Sequence, residues 1–478
     1  MATQTNSSSA TDCNAQPLLF PELTIRPVVV DFDAPHVSSD GGGVLLGRLD
    51  RSYGYLQRFA RCFRDHRNEE LIEHSVLELL RQRTYGLALG YEDLNDHDGL
   101  CTDPLLASVC GKADPTGQDR LREQDKGKPL AGKSTLNRLE LTPAEANASA
   151  RYKKIVADPD GIEDYFIQEY VRSLPKNTKS VTLDLDATDD PLHGHQEGRF
   201  FHGYYRDYCY LPLYIFDGDW PVLAWLRTSD HEAAWGVVDK INKIVTALRR
   251  RFPHIRIRLR ADSGFCRQEL MSWCEANGVK YVFGLARNPV LERHLAATLK
   301  QARQGSEQNG GAACRIFEEF PYRAGSWDRH RWVIGKAEWT SGAANPRFII
   351  TNEEPLSFRA RTLYEQDYCG RGNMENRIKE QQMDMFADRT STETMRANQL
   401  RLWFSTLAYL LVNQLRRVGL EGTELARATC GTIRLKLFKI GAVVQVSVRR
   451  VWVKLSASYP WAQLWRQVAG RLATAASG

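Results

Sequence analysis

The stretch that most constrains this chain is residues 180–186, which read Ser-Val-Thr-Leu-Asp-Leu-Asp. Apolar and polar residues alternate along it, which predicts a β-strand rather than a helix. Asp184 and Asp186 have the same parity, so both point to one face of the strand. Because α/β proteins bind ligands at the carboxyl ends of strands, Asp186 is a candidate site residue. Taken alone, it is explained as simply by a turn or cap.

Composition excludes several classes of protein. The 478 residues leave room for roughly two to four domains. No apolar run reaches the roughly 20 residues of a membrane helix. Residues 402–415 come nearest, and Asn413 and Gln414 interrupt them. Since the first residues lack a signal peptide and the ten cysteines form no CxxC pair, we expect a cytoplasmic protein with no membrane contact.

Basic residues are concentrated in two parts of a chain whose net charge is only +6. Six arginines crowd residues 249–260, and six lysines and arginines lie within residues 434–454. Clusters of this kind favour a polyanionic partner. A solvated helix face explains any one of these residues equally simply.

From residue 176 onward the pattern changes to strands followed by helices. Helices are predicted at residues 231–251 and 267–277. Strands are predicted at residues 180–186, 208–217, 221–227, 255–261 and 280–285. This order is that of a ribonuclease-H-like core, an α/β fold with a mixed five-stranded sheet and flanking helices. Its first and fourth strands are neighbours, so Asp186 and Asp262 are expected to meet at one rim.

The remaining segments complete a predicted division into six parts. A polar tail comes first, then a mainly α-helical DNA-binding domain, then a catalytic core that a β-rich insertion interrupts, and finally a basic C-terminal segment. The boundaries are residues 1–25 for the tail, 26–175 for the DNA-binding domain, 176–288 and 362–418 for the core, 289–361 for the insertion and 419–478 for the C-terminal segment. A helix is predicted over residues 44–63, and a Gly/Gln/Ser loop over residues 304–312.

Within the helical domain, a short helix near residue 134 is a candidate for reading DNA. Ser134 can cap its first turn, and Thr135, Asn137 and Arg138 would lie on its exposed early part. That arrangement suits the recognition helix of a helix-turn-helix unit. A plain capped surface helix accounts for the same residues.

Three acids stand out as metal ligands: Asp186, Asp262 and Glu375. The first two end strands, and Glu375 lies early in a helix that can cross the same rim. Mg²⁺ prefers oxygen ligands and keeps positions open for water and phosphate. Two such ions, held by shared carboxylates, support in-line displacement at phosphorus.

The residues around these acids resemble the DDE transposases of bacterial insertion sequences. Asp262-Ser-Gly-Phe265 matches their D-x-G-F block, and Asp186-Ala-Thr188 resembles their first-acid block. Tyr368-x2-Arg371-x3-Glu375 matches most of the Y-x2-R-x3-E-x6-K signature. The final Lys is replaced by Gln382, with Lys379 one turn closer to Glu375. Longer blocks resemble the insertion-sequence family numbered thirteen-eighty, at residues 90–93, 103–104, 193–198, 203–205 and 209–213.

This resemblance implies a cut-and-paste enzyme of the bacterial cytoplasm and nucleoid. It would bind the terminal inverted repeats of its element, cleave the ends and join them to target DNA, as a homodimer in the paired-end complex. Two Mg²⁺ ions, which Mn²⁺ can replace, would serve as cofactors. Two alternatives stay open: a ribonuclease-H-like metal-dependent nuclease, and a noncatalytic DNA-binding protein descended from a transposase. The presence of all three acids argues against the second.

The resemblance also gives a role to the insertion between Asp262 and Glu375. Hairpin-forming members of this group carry such an insertion, so a hairpin intermediate is expected. Trp327 is the candidate platform for a base taken out of the duplex, because its neighbours predict a loop. Arg323 is a candidate phosphate contact nearby. Core packing is the simpler fate of a single Trp. Tyr368, Arg371 and Lys379 are expected to contact DNA at the active rim, and a helix-start salt bridge with Glu365 or Asp367 is the alternative for Arg371.

Overall fold

The computed structural model describes residues 18–20, 26, 28–30, 36–340, 342–353 and 360–475. The predicted tail, residues 1–25, falls outside these ranges except for one short strand. The strands are β1 Leu18–Phe20, β2 Val28–Val30, β3 Val37–Ser38, β4 Phe63–Asp65, β5 Ile155–Ala157, β6 Ser180–Ala187, β7 Asp190–Pro191, β8 Phe200–His202, β9 Asp207–Tyr210, β10 Leu213–Asp217, β11 Trp220–Trp225, β12 Arg256–Ala261, β13 Lys280–Leu285, β14 Cys314–Tyr322, β15 Arg331–Thr340, β16 Ala343–Ala344, β17 Arg347–Thr351, β18 Ala442–Val446 and β19 Val451–Leu455.

Helices occupy most of the remaining described chain. The α-helices are α1 Val44–Tyr53, α2 Tyr55–Phe59, α3 Val76–Leu89, α4 Asp96–Leu100, α5 Pro104–Cys110, α6 Lys133–Glu140, α7 Pro159–Ser173, α8 Val237–Arg251, α9 Gln268–Ala276, α10 Pro289–Gln308, α11 Ala360–Thr362, α12 Gly372–Lys379, α13 Met395–Gly419, α14 Cys430–Ile433 and α15 Ala462–Ala475. Among the described residues, no helix combines the length and apolarity that spanning a membrane requires.

A large mixed sheet organises the chain. In the described residues its strands follow the order β11-β10-β6-β12-β13-β17-β15-β14, with β16 paired to β15. β6 lies parallel to β12 and antiparallel to β10. Val181, Leu183 and Leu185 of β6 are buried, as the alternating pattern predicts for a strand whose apolar face packs into a core. The expected adjacency of the first and fourth predicted strands is therefore present, in a fold of the α/β class.

The insertion does not form a sheet of its own. β17 pairs antiparallel with β13, and β15 and β14 continue outward from it. Helix α10 packs on β14 and β15. It runs to Gln308, so the loop predicted at residues 304–312 is wrong over its first half. At Gly305 a Cβ would lie 2.7 Å from the Cys314 sulfur, so the missing side chain lets the helix approach the strand.

Two further element boundaries differ from the sequence prediction. The predicted helix over residues 44–63 is split at Gly54, whose φ of 67° ends α1 and begins α2. The predicted strand over residues 208–217 is split into β9 and β10. β9 leaves the large sheet and pairs with β7 and β8 instead.

Two strands from distant parts of the chain, β3 and β18, pair with each other. β18 pairs with β19 on one side and with β3 on the other, at Val37 and Ser38. The Gly41 amide donates to the Ile440 carbonyl at 2.8 Å. The long apolar helix α13 packs against α3, β11 and α15, and it joins the N-terminal helices to the large sheet.

Candidate active site

Asp186 and Asp262 lie at the carboxyl ends of adjacent parallel strands. Leu185 of β6 is paired with Ala261 of β12, and each aspartate is the next residue in the sequence: Asp186 is still on β6, and Asp262 directly follows β12. Burial raises the pKa of Asp186 to about 7. Arg371 opposes that rise, whereas the carboxylates of Asp262 and Glu375 add to it. The three acids predicted from the sequence are therefore electrostatic neighbours.

Glu375 reaches this rim on a helix of irregular geometry. π-helical turns at Leu363–Tyr368 and Glu380–Asp384 flank α12, and a 3₁₀ turn precedes it. Such π turns are frequent at functional sites. Glu375 itself is exposed, in the first turn of α12.

Arg371 lies between the acids. Its Nη2 donates to Glu375 Oε1 at 2.9 Å, and its Nη1 is 3.6 Å from Asp186 Oδ2. An ordinary helix-start ion pair with Glu365 or Asp367 was the sequence alternative for this arginine, and those partners are wrong. Glu365 and Asp367 pair instead with Arg315 and Arg258. Since burial works against the charge, the raised pKa of Arg371 reflects the carboxylates around it.

A buried ion pair that the sequence analysis did not identify supports the rim. Arg260 Nε donates to Asp184 Oδ1 at 2.5 Å and its Nη2 to Asp184 Oδ2 at 2.7 Å. The remaining Nη1 donates to the Asp367 carbonyl at 2.6 Å. Arg260 therefore ties the segment before Glu375 to the sheet. Arg260 also donates to both carboxylate oxygens of Asp184. Asp186 is therefore the β6 carboxylate that faces the other acids.

Tyr368 fits into a gap left by a glycine. A Cβ on Gly284 of β13 would lie 2.6 Å from the Tyr368 hydroxyl oxygen and 2.9 Å from the Ser263 nitrogen. Burial raises the pKa of Tyr368. The positive charge of Arg371 lowers it, and the nearby carboxylate of Asp262 raises it further. The tyrosine is therefore packed beside the Asp262 turn, whose own shape depends on Asp262 Oδ1 accepting from Gly264 N at 2.8 Å.

Gly284→Ala is expected to displace the Tyr368 ring or the Asp262 turn, because the new methyl group has no free volume. Overpacking of this kind costs about 1–3 kcal/mol of unfolding free energy, and DNA cleavage should fall with it. Chemical denaturation and a cleavage assay measure the two effects. Gly470→Ala is the matched control, since apart from adjacent residues and the backbone of α15 itself no atom lies within 4 Å of its Cβ position. Equal behaviour of the two variants would contradict the packing argument.

The donor set suits a hard divalent cation. Three carboxylates from three separate elements offer oxygen ligands and a negative field, as Mg²⁺ requires. Among the described residues, however, no three His, Cys, Asp or Glu side chains converge as a ready-made metal site. Arg371 supplies positive charge between Asp186 and Glu375 in this arrangement. The three carboxylates therefore have the chemistry that a divalent cation needs, and in this structure Glu375 accepts a hydrogen bond from Arg371.

Comparison with known families decides the identity of the chain. A family model described as transposase DDE domain group 1 matches residues 20–477. The chain belongs to this transposase family. A comparison with curated proteins returned no match.

The last position of the transposase signature lies beyond Glu375, at Gln382, and Lys379 precedes it. Lys379 ends α12, one turn after Glu375, and is exposed. Gln382, which stands where the signature has Lys, lies in the following π turn. Its Nε2 donates to the Asp189 carbonyl at 3.3 Å. Lys379 thus remains open to a ligand, whereas Gln382 contacts the loop that follows β6.

The packing of Trp327 is at odds with its predicted role as a base platform in this transposase. The residue lies outside regular elements, as expected, but its side chain is only 5% exposed. Its ring packs edge-on against Tyr322 at 5.4 Å, and its carbonyl accepts from Arg323 Nε at 3.0 Å. Trp327 and Arg323 therefore stabilise a loop here. Trp332, on β15, is the exposed tryptophan of this region, at 39%.

The candidate DNA-reading residues lie on α6 beside a polar cavity of about 550 Å³. Gly132 occupies the N-cap position and makes no side-chain cap, so the predicted capping role of Ser134 is wrong. Ser134 and Arg138 are exposed, and Thr135 and Asn137 are half-buried. The Arg138 guanidinium stacks on Tyr152, 5.0 Å from the ring centre. Basic residues of the same cavity wall are Arg67, Arg120, Arg122, Lys128 and Lys154.

Proposed function

We propose that this transposase binds the terminal inverted repeats of its element, cleaves the ends and joins them to target DNA. The observation that carries the proposal is the meeting of Asp186, Asp262 and Glu375 around Arg371 at the carboxyl end of β6 and β12. The partner is double-stranded DNA, bound by a homodimer that holds two ends. The setting is the bacterial cytoplasm and nucleoid.

The strand order β11-β10-β6-β12-β13 supports a ribonuclease-H-like core for the large sheet. We extend the proposal to the division of the chain, with residues 26–175 reading DNA and the core formed by residues 176–288 and 362–418. Residues 289–361 enlarge the core sheet between these parts. The blocks shared with the family numbered thirteen-eighty support membership of that group.

In the proposed chemistry, each side chain of the rim has a separate task. Asp186, Asp262 and Glu375 would hold two Mg²⁺ or Mn²⁺ ions, which when bound activate an attacking oxygen and stabilise the leaving one. Arg371 presents a planar fork that suits a phosphate. Arg260 positions the Glu375 segment through the Asp367 carbonyl, and Tyr368 packs against the Asp262 turn. Lys379 adds positive charge one turn beyond Glu375.

The decisive experiment incubates purified protein with labelled terminal repeats, Mg²⁺ and a target plasmid. Joined products are expected, and they distinguish a transposase from a ribonuclease-H-like nuclease, which would only cut. Binding without cutting would favour the noncatalytic alternative. Denaturing gels of the same reactions test the hairpin intermediate, which appears as a slowly migrating closed end. Ends cut without a hairpin would refute that pathway alone.

Arg371→Ala is expected to weaken binding of the cleaved end about tenfold, as the loss of a charge-assisted phosphate contact does. Unfolding free energy should change less, because its Glu375 partner is half-exposed. Gel-shift titration and chemical denaturation give the two numbers. Arg371→Lys keeps the charge without the fork, and intermediate binding is expected. Parallel losses of stability and binding would instead assign Arg371 a structural role.

Arg138→Ala in the full chain is expected to reduce the preference for terminal repeats over scrambled DNA about tenfold. The reason is that a side chain in contact with a base edge favours one DNA sequence over another, whereas a side chain in contact with a phosphate binds all sequences alike. Competition binding with both DNAs measures this ratio. Lys300→Ala, on the exposed side of α10, is the matched control for lost positive charge. Equal weakening on both DNAs would place Arg138 on the backbone.

A further inference from the structure

An unusual concentration of exposed aromatic rings follows the Asp186 strand. β8 and β9 form a short antiparallel hairpin with its tip at residues 203–206, and residues 200–210 are named here the aromatic hairpin. Tyr204 is 84% exposed and Phe201 57%. Phe200 and Tyr208 are also exposed. Apolar surface gathered in one place in this way marks a binding surface rather than a folding requirement.

The aromatic hairpin is joined to the chain next to the rim of the candidate active site. Asp190, four residues after Asp186, pairs with Tyr210 of β9. Burial raises the pKa of Tyr205 at the hairpin tip, and the carboxylates of Asp189, Asp186 and Asp262 raise it further. The tip is therefore within electrostatic reach of both strand-end acids.

Hydrogen bonds at its base hold the aromatic hairpin in place. Leu192 N donates to the Tyr208 carbonyl at 2.8 Å, and Ser229 Oγ donates to the Phe200 carbonyl at 3.0 Å. The Arg199 guanidinium carbon lies over the Tyr208 ring, 3.8 Å from its centre. The rings are thus presented on a fixed support, and little conformational entropy is lost when a ligand stacks on them.

The charge around the rings favours a nucleic acid. Arg199 and the exposed Arg206 flank the aromatic surface, and Arg199 Nε is buried without a hydrogen-bond partner among the described residues. Asp207 is the one exposed acid within residues 199–208, all of which the structure describes. Aromatic faces interleaved with arginine are the pattern that binds single-stranded DNA, through stacking and phosphate contacts. A duplex exposes base faces only at its ends.

We propose that the aromatic hairpin is a stacking platform for unpaired DNA bases beside the cleaved phosphate. This inference rests on the proposed function, because it takes the strand from DNA held at Asp186 and Asp262. It assigns the platform to Phe201 and Tyr204, both of which are more than half exposed, in place of the buried Trp327. The ligand class is an unpaired strand of a few nucleotides.

The test compares two labelled DNAs on the full-length protein in EDTA, so that nothing is cut. One is a blunt duplex of the terminal repeat, and the other is the same duplex with an unpaired extension carrying 2-aminopurine. The extension is expected to tighten binding of the wild-type protein, with quenched fluorescence from stacking. Tyr204→Ala and Phe201→Ala should each lose about fivefold or more of that preference while blunt-duplex binding stays unchanged.

Three matched variants sharpen the result. Tyr204→Phe keeps the ring and should keep the preference. Tyr204→Ile keeps apolar area without a ring and should lose it. Trp452→Ala removes another exposed aromatic side chain, 52% exposed on β19, and should leave the preference for the extension unchanged.

Unchanged extension binding in Tyr204→Ala and Phe201→Ala would overturn the platform while leaving the proposed function intact. Failure of the wild-type protein to bind either DNA, or to cut it with Mg²⁺, would overturn both. Sedimentation of the same variants measures their oligomeric state and so tests whether a second copy of this chain covers the aromatic hairpin instead. If a variant loses the dimer but keeps its preference for the extension, the aromatic hairpin is a contact between two copies of the chain. The platform would then be rejected.

Discussion

Asp262→Asn is expected to abolish DNA cleavage and joining, with a rate loss of at least about a thousandfold, while binding to terminal repeats is kept. Asn has the same shape and still offers an oxygen to the Gly264 amide, so the turn after β12 should survive. Only the charge that would hold a cation is lost. Gel assays of strand cleavage and gel shifts of the intact end measure the two properties separately.

Stability gives this prediction a second, independent readout. The Asp262 carboxylate helps to raise the pKa of Asp186, so its charge repels a neighbour in the folded state. Removing it should leave the melting temperature equal or higher. Asp164→Asn, on the exposed face of α7, is the matched control and should retain full activity. Near-normal cleavage by Asp262→Asn would refute the assignment, and a fall in both stability and activity would indicate a structural acid.

Asp184→Asn is expected to lower the unfolding free energy by about 3–5 kcal/mol, because it breaks a buried ion pair from one side. Arg260 would keep its charge and its contact with the Asp367 carbonyl, but it would lose the opposing negative charge and one of its two side-chain acceptors. Chemical denaturation measures the loss. Cleavage should fall as well, since the segment before Glu375 is held through Arg260.

An exposed ion pair provides the comparison. Arg303 and Glu307 of α10 are joined at 2.8 Å, and both side chains are more than half exposed. Glu307→Gln should cost less than about 1 kcal/mol. The double variant Asp184→Asn with Arg260→Met should recover part of the stability, because no charge remains buried, but not the cleavage. Recovery of both would show that Arg260 plays no positioning role.

Sequence patterns were sufficient for the strands that position the acids. Alternation and β-branched residues located β6, β12 and β13 within about one residue, since buried strands leave a strong local signal. The Asp184–Arg260 pair was also within reach. Asp262 and Arg260 each lie 76 positions after their β6 partners, so once two strand ends are aligned the second pair follows.

Other features depend on contacts between distant parts of the chain. The extension of α10 through a Gly- and Gln-rich stretch rests on packing against Cys314, which local propensity opposes. The burial of Trp327 depends on Tyr322 and the loop around it. Several arginines of the predicted basic cluster at residues 249–260 bind internal groups instead, as Arg258 does with Glu353 and Asp367. A single sequence shows the charge of such residues but not their partners.

The pairing of β3 with β18 has a consequence for synthesis of the protein on the ribosome. Ser38 and Ala442, which are paired in this small sheet, are separated by 404 positions, obtained by subtraction. Nearly the whole chain must therefore be translated before β3 meets its strand partner. Products that stop before residue 442 lack β18, the strand that pairs with β3. The small sheet that contains β3 is thus completed only after residues 442–446 have been made, when the acids of the rim are already in the chain.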